Sequence, residues 1–567
     1  MPGRTVSELE RRFGRPATEV LARLRARNAE GGAIEQDDVE HVAAEVGLPR
    51  SHVNGAASFY ADLAPTPRGR RHVQICTGTA CFAATGGAHL EAAADALDAP
   101  LGGVSGDGES SLQPVYCLGY CYAGPAALDG ATPCAGPDLV AQLLGEAERD
   151  DPPIPFHADV AEPVVLAGLA GDGPPAWEVW AEVVAAGDRA RVGREVAASG
   201  IRGRGGAGFP ASVKWGSAAE APSDGPRYLI CNGDEGDPGS FVDRLLMESD
   251  PHRVLEGIAL AAYAARATHG FVYVRSEYPR ARDALRAAID EARAAGHLGT
   301  DVHGTGFEFE IEVFEGAGSY VAGEETSLIH SMEGLRGEVA SRPPFPTERG
   351  FLNRPTVVNN VETLCSVPWI VARGGASYSR LGSGDSRGTK VVCLNERFRN
   401  PGAYEVELGV SLQYIFDVLG GGIRDGTGLR ALQIGGPLGG FVSADRLDTQ
   451  LSFEALRDVG ADLGHGSIVA VDESVGGAEL LEHIWRFAAT ESCGTCAPCR
   501  IGTRRGLDAV RAFRGGDPRS LNRYAALLET MERGSLCAFG KTVPQAVRSV
   551  AEACDDLDVA ELGRGER

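Results

Sequence analysis

Missing from these 567 residues is any uninterrupted apolar run of roughly 18, the length a membrane-spanning helix requires. Positive charge is short as well. With 54 Lys and Arg against 78 Asp and Glu, the net charge is −24, an acidic surface that repels nucleic acid and anionic lipid. Cysteine is too sparse for a disulfide scaffold, and its count of 13 is odd. A reducing, cytoplasmic setting follows, in which clustered cysteines are metal ligands. The opening MPGRTVSELERRFGR has no apolar core of the kind a secretory signal carries. There is no solenoid-type repeat and no low-complexity tract. What is present is a 43% apolar composition with 76 glycines, enough to build interiors and exclude global disorder. At roughly 150 residues per domain, the length implies three or four domains.

Residues 1–65 read as helices, with Val39, Val42, Ala43 and Val46 at helical spacing and Asp37 as their cap. From His72 the pattern becomes a small α/β unit, with helices over His89–Leu97 and Asp138–Glu148, giving a first region of 1–149. Residues 150–177 carry six prolines and read as a linker, so the first region should fold as its own unit. Residues 178–388 read as a larger α/β domain with strands YLIC (228–231) and FVYV (271–274). Residues 389–474 have strand and glycine-turn signals, and 475–567 are helical around cysteines.

Four residues separate Cys76 from Cys81 and three separate Cys117 from Cys121, with 35 residues between the pairs. Four thiolates in two loops can hold two sulfide-bridged irons; a four-cysteine zinc site satisfies the same spacing. The second set is Cys493-Gly-Thr-Cys496-Ala-Pro-Cys499 with Cys537 after 37 residues, the arrangement of a 4Fe-4S cluster. Its loop opens a helix from about Arg500, whose free amides favour the cluster's negative charge. The isolated Cys134, Cys231, Cys365, Cys393 and Cys554 read as small buried hydrophobes.

GIRGRGGAGFP (200–210) contains Gly203-x-Gly205-x-x-Gly208 after a helical stretch, not after a strand, so it lacks the setting of a dinucleotide fingerprint. Its backbone amides, with Arg204 inside and Lys214 beyond, still suit an anion. NGDEGDPG (232–239), GAGSYVAGEE (316–325) and PTVVNNVET (355–363) place acids and amides near strand ends, where they can hydrogen-bond ribityl or ribose hydroxyls.

These residues have a family. RGRGGAGFPASVKW, CNGDEGDPGSF, GSYVAGEETSL, RPPFP, PTVVNNVETL, ESCGTCAPCR and SLCAFGKT, in order over about 195–545, resemble the flavin subunit of respiratory complex I. They also resemble its relatives in soluble NAD-linked formate dehydrogenases and hydrogenases, which NGDEGDPG with DPHRVLEG resembles more than complex I itself. VNGAASFY, ICTGTACF and CLGYCYAGP, within 20–146, resemble the thioredoxin-like 2Fe-2S subunit of the same complexes. The chain looks like the two subunits fused.

The resemblance implies N-terminal helices plus a thioredoxin-like domain, a Rossmann-like FMN and NAD(H) domain, a β-grasp-like domain and a helical bundle with the 4Fe-4S cluster. It implies FMN contacts from Gly203, Arg204, Gly205, Gly206, Lys214, Asn232, Asp234, Glu235, Tyr320, Gly323, Glu324, Asn359, Asn360 and Thr363. For NAD(H), Phe209 would stack on adenine and Glu325 would face the ribose; Glu235 and Glu325 are the candidate catalytic carboxylates. Two departures from the family stand out: a second aromatic that its members place near Ser217 is absent, and Arg342 stands where lysine is frequent. The expected activity is hydride exchange between NAD(H) and FMN, with single electrons passing through the 4Fe-4S cluster. The expected partner is the catalytic iron–sulfur subunit of a larger complex, foremost a formate dehydrogenase alpha-type chain. A hydrogenase or quinone-reducing complex is the alternative, and a zinc-stabilised scaffold is the reading from a different class.

Overall fold

The computed structural model describes residues 16–63, 66–149, 151–554 and 556–557. The opening stretch read for a signal lies outside the described residues, as does the tail of the C-terminal region.

Three helices come first, Val20–Gly31, Gln36–Val46 and Arg50–Ala57. The second buries Val39, Val42, Ala43 and Val46, as their spacing predicts. Its cap is not Asp37, which lies inside the first turn. Glu35 precedes the helix, and the Asp38 carboxylate accepts its N–H at 3.0 Å, satisfying a donor the helix leaves free.

The α/β unit that follows is a five-stranded sheet: β1 (Arg71–Cys76), β2 (Gly103–Val104), β3 (Ser110–Val115), β4 (Ala126–Asp129) and β5 (Thr132–Ala135). The order is β2-β3-β1-β4-β5, with β1 and β3 parallel and the other pairs antiparallel. The expected helix over Asp138–Glu148 is shorter, Leu139–Leu144, because Gly145 turns left-handed at φ +74° and closes it.

The proline-rich 150–177 is not free chain. It forms β6 (Phe156–Ala158) at the edge of a later sheet, and the N–H groups of Val164, Val165 and Leu166 donate to the buried Glu405 carboxylate at 2.9–3.0 Å. An edge strand tolerates prolines beside it, since one side of its ladder stays unpaired.

Next come β7 (Tyr228–Gly233), β8 (His269–Val274), β9 (Glu310–Glu315) and β10 (Thr356–Asn360), in the order β10-β7-β8-β9 and all parallel. Helices cover them, so β7 and β8 are buried almost throughout and read as continuous apolar runs. After a short hairpin, β11 (Gly382–Ser383) and β12 (Ser386–Arg387), the β-rich unit contributes β13 (Thr389–Leu394), β14 (Gly402–Glu407), β15 (Leu429–Ile434), β16 (Phe441–Ser443) and β17 (Ser467–Asp472). With β6 they form one mixed sheet, β16-β15-β17-β13-β14-β6. Four helices close the chain, Gly477–Glu491, Ala497–Arg514, Tyr524–Gly534 and Ala538–Ala553. No helix among the described residues is long and apolar enough to cross a membrane.

The seam between the parallel sheet and the mixed sheet holds a fully buried ion pair, Lys390 with Glu362, whose other oxygen accepts the Val391 N–H at 2.9 Å. Removing one partner of such a pair strands the other charge. Lys390→Met is therefore expected to destabilise the protein by about 3 kcal/mol, read as a lower denaturant midpoint, with the double change to Met and Gln recovering part of the loss.

Candidate functional site

The glycine loop packs between the parallel sheet and β17. Gly206 has φ +108° and lies against Gly464, and a Cβ on Gly205 would sit 2.9 Å from Asn360 Cβ, so the loop backbone is drawn close to the end of β10. The Arg204 N–H donates to Thr363 Oγ1 at 2.8 Å. Its guanidinium does not face the loop's open side. It is buried and donates to Thr389 O, Tyr378 OH and Arg387 O, clamping the loop to β12 and β13. Five donors in a closed seam need acceptors, and the neighbouring carbonyls supply them, which leaves the Arg204 backbone on the loop's open side.

The acidic loop after β7 turns its side chains two ways. Asn232 donates to Gly323 O at 2.8 Å and accepts the Asp234 N–H at 3.1 Å. Asp234 Oδ2 is buried without a hydrogen-bond partner, and burial pushes its carboxyl well up. Glu235 faces inward. Fully buried, it accepts from Ser240 Oγ (2.7 Å) and from the N–H groups of Asp243 and Arg244 (3.0 Å each), capping helix Val242–Ser249. These donors satisfy both oxygens of the carboxylate within the fold.

Tyr320 donates to Asp237 Oδ1 at 2.6 Å, and its N–H reaches Glu491 Oε2 at 3.0 Å. Burial lifts the Glu491 carboxyl to about 7. Glu324 caps helix Glu325–Met332 through the Thr326 and Ser327 N–H groups and pairs with Arg342. Glu325 lies between two cations, Lys214 Nζ at 2.8 Å and Arg342 Nη1 at 3.0 Å. Asn359 accepts from Trp215 Nε1 at 2.7 Å, while Asn360 donates to Asp243 Oδ2 at 2.7 Å and accepts the Thr363 N–H at 3.3 Å. Beside the loop, Phe209 and Phe345 are each 50% exposed and precede helices Ala211–Glu220 and Pro346–Arg349, which pack together through Ser217 and Thr347 (2.9 Å). Phe345, Asp237, Asp243 and His465 were missed by sequence reasoning. Phe345 and Asp237 stood inside quoted motifs; His465 lies more than a hundred residues beyond the last of the flavin motifs, and nothing local marks it.

Both cysteine sets assemble. Cys76 ends β1, Cys81 lies in helix Thr79–Thr85, and Cys117 Sγ is 3.5 Å from Cys121 Sγ on the facing loop. A hydrogen bond from Cys81 holds the Cys76 thiol down at about 7, and the backbone N–H groups of Gly78, Cys117 and Leu118 point at the same sulfur. This loop is not self-contained. Gly239 of the acidic loop donates N–H to Cys121 Sγ at 3.2 Å, and buried Arg275 donates to Tyr116 O, Cys117 O and Glu235 O. The first region therefore shares part of its interior with the flavin motifs.

Cys493, Cys496, Cys499 and Cys537 line one small cavity with Val321 and Phe539. The helix starts at Ala497, not near Arg500, with Cys496 as its cap and Pro498 in the first turn, where its missing N–H costs nothing. Cys134, Cys231, Cys365, Cys393 and Cys554 are buried.

The donor sets fit the groups the sequence implied. Eight thiols stand in two fours, and the unsatisfied Asp234 Oδ2 and Asp243 Oδ1 are buried acceptors beside a glycine cradle, as ribityl hydroxyls require.

Comparison with known proteins agrees. Residues 196–369 match the family model of the Nuo51 FMN-binding domain, 6–133 that of the thioredoxin-like [2Fe-2S] ferredoxin, and 479–557 that of the NADH-ubiquinone oxidoreductase-F iron-sulfur binding region. The chain is 43% identical to the NADP-reducing hydrogenase subunit HndC of Solidesulfovibrio fructosivorans over 62% of its own length and 72% of that protein's. It is 38% identical to the mitochondrial NADH-ubiquinone oxidoreductase 51 kDa subunit of Neurospora crassa, over 61% and 72%. A solved structure of NAD+-reducing [NiFe]-hydrogenase superposes with a TM-score of 0.84 at 30% identity, covering 96% of this chain and 94% of the other. The chain therefore belongs to the family of FMN-binding 51-kDa subunits of complex I, as an oxidoreductase with FMN, NAD(H), a 2Fe-2S and a 4Fe-4S cluster, its thioredoxin-like module fused in the same polypeptide.

Proposed function

We propose that this chain is the diaphorase module of a soluble multi-subunit enzyme. It exchanges hydride between NAD(H) and FMN and passes single electrons through the 4Fe-4S cluster to or from an iron–sulfur partner. The observation that carries this is the meeting of both cysteine sets and the glycine cradle on one interior, with Tyr320 at the centre: its ring packs on Phe487 and Phe539, and Phe539 lies two residues past Cys537. FMN, when bound, supplies the conversion between a hydride pair and two single electrons.

The residues proposed to hold FMN are Gly203, Gly205, Gly206, Lys214, Asn232, Asp234, Tyr320, Gly323, Asn359, Asn360 and Thr363, with Arg204 acting through its backbone. Asn232 and Asp234 offer polar atoms to the ribityl chain. Asp237 holds the Tyr320 hydroxyl, and Phe209 and Phe345 offer two open ring faces for adenine. Helix packing fixes each group before substrate arrives, so orientation is supplied by the fold. Electrons are proposed to leave on the side of Cys496 and Cys537, the two less buried thiols. There, on a chain of net charge −24, Arg500, Arg504 and Arg505 are exposed beside the apolar Ile501 and Leu536. Such a surface suits an acidic partner.

A formate dehydrogenase alpha-type partner, the first expectation, finds no namesake among the relatives named above, whereas hydrogenase and quinone-reducing complexes do. The parent complex proposed is of the NAD-linked hydrogenase kind, supported by near end-to-end likeness to the fused hydrogenase chain. Purified protein is expected to hold one FMN and roughly six irons per chain, from two plus four in the two sets. Zinc in either set, found by plasma mass spectrometry, would return the scaffold reading. Mass spectrometry of a native pull-down names the parent: a hydrogenase subunit is expected, and a molybdenum-binding chain would restore formate dehydrogenase.

A further inference from the structure

A cation that belongs to neither cysteine motif closes the Cys117–Cys121 loop from behind. Arg275 follows β8 directly and is 5% exposed. Its Nη2 donates to Cys117 O at 2.9 Å and to Tyr116 O at 3.1 Å, while Nη1 donates to Glu235 O at 2.6 Å. One guanidinium thus joins the backbone of a cluster cysteine to the acidic loop of the flavin motifs. The other buried arginine on this loop, Arg244, reaches it only at Gly119 O and pairs with Glu248.

Arg275 has a single carboxylate partner. Glu277, 8% exposed, accepts from Arg275 Nη2 at 2.7 Å through Oε1 and from Ser276 Oγ at 3.1 Å through Oε2. The two charges are not equivalent with respect to the cysteines. The cation touches the carbonyl of Cys117 itself, whereas the carboxylate meets the loop only across the guanidinium. When a 2Fe-2S cluster is reduced, one electron enters, no bond forms or breaks, and the cluster's charge falls by one. A fixed positive charge beside it favours the reduced form and a negative charge disfavours it, and burial strengthens both effects. The guanidinium does not deprotonate, so its charge is permanent.

We propose that Arg275 is a positioning residue that raises the reduction potential of the 2Fe-2S cluster, with Glu277 as the opposing charge. It rests on the placement of that cluster at Cys76, Cys81, Cys117 and Cys121. The cation at the joint between the two loops makes the cluster a readier acceptor for an electron coming from the flavin side. Glu277 keeps that preference moderate, so the electron can leave again.

Anaerobic potentiometric titration of the holoenzyme with dithionite and mediators, read by low-temperature electron paramagnetic resonance, tests this. In Arg275→Gln, reduction of the 2Fe-2S cluster is expected to become about tenfold less favourable, a midpoint roughly 59 mV lower. Glu277→Gln should move the midpoint upward, because the cation is then unopposed. The double variant should lie between the two single ones, and Arg275→Lys, which keeps the charge, should stay near the wild type. A role in packing alone gives no such reversal of sign. A midpoint that stays in place in either Gln variant, or moves the same way in both, overturns the proposal. If Arg275→Gln assembles no cluster, Glu277→Gln decides by itself. Cys117→Ser checks the placement separately: a 2Fe-2S signal unaltered in that variant overturns the assignment of the cluster to these cysteines.

Discussion

Cys496→Ser is expected to leave bleaching of the flavin band by NADH at its wild-type rate and to cut electron transfer to the partner subunit by roughly 10²-fold or more, since a hard hydroxyl replaces a soft thiolate. The position makes the change selective. Cys496 caps helix Ala497–Arg514 and is less buried than Cys493 or Cys499, with the Leu536 N–H aimed at its sulfur at 3.5 Å. None of its contacts reach the glycine loop, Asn232 or Asp234, so the hydride step should survive. Cys81→Ser provides the contrast. It removes a ligand of the other cluster, and if that cluster lies off the main route, transfer to the partner should fall only modestly. Stopped-flow mixing with NADH, followed by partner reduction in the same cell, separates the two steps. An undiminished rate to the partner in Cys496→Ser would move the exit to the thioredoxin-like module.

Glu325→Ala is expected to raise kcat/KM for NADPH by about tenfold or more, roughly 1.4 kcal/mol, while NADH is affected less. A carboxylate near the adenosine ribose accepts from the 2′-hydroxyl and repels a 2′-phosphate. The structure sharpens this argument. Arg342, which could grip such a phosphate, is held by both Glu324 and Glu325, and Lys214 also pairs with Glu325. Loss of the Glu325 charge therefore removes a repulsion and loosens one of the two carboxylates that restrain Arg342. Arg342→Ala in the same background should erase the gain. The comparison is pointed, because one relative is named an NADP-reducing hydrogenase subunit and one similar structure an NAD+-reducing hydrogenase. Steady-state kinetics with both nucleotides, corrected for FMN content, decide it. An unchanged ratio, or equal loss of both activities with FMN, would reduce Glu325 to an anchor for Lys214.

Much of the site was legible because its chemistry is local in the chain. Thiol spacing depends on a few neighbouring residues, and both sets assemble as those spacings imply. The apolar runs YLIC and FVYV are buried on both faces, so β7 and β8 could be read without partners. What could not be read was direction. Arg204 and Glu235 sit in motifs that suit a cofactor, yet one clamps a hairpin and the other caps a helix, because buried donors and helix amides claim their atoms first. Position in a loop gives proximity; the competing partners come from elsewhere in the chain. His465 is the extreme case, brought to Asp243 and Asn360 only by docking the mixed sheet against the parallel one. The 150–177 segment failed for the same reason, since its strand partner, β14, lies some 245 residues away.

The most direct test of the electron route is anaerobic titration of the purified holoenzyme with NADH, watched by absorbance and by low-temperature electron paramagnetic resonance. One FMN and two one-electron clusters should together accept about four electrons, or about two NADH, and two distinct iron–sulfur signals should grow as the flavin band bleaches. In Cys496→Ser, only the signal of the thioredoxin-like module should remain. A flavin that bleaches with no cluster signal at any NADH excess would contradict the route from NADH through FMN to the clusters.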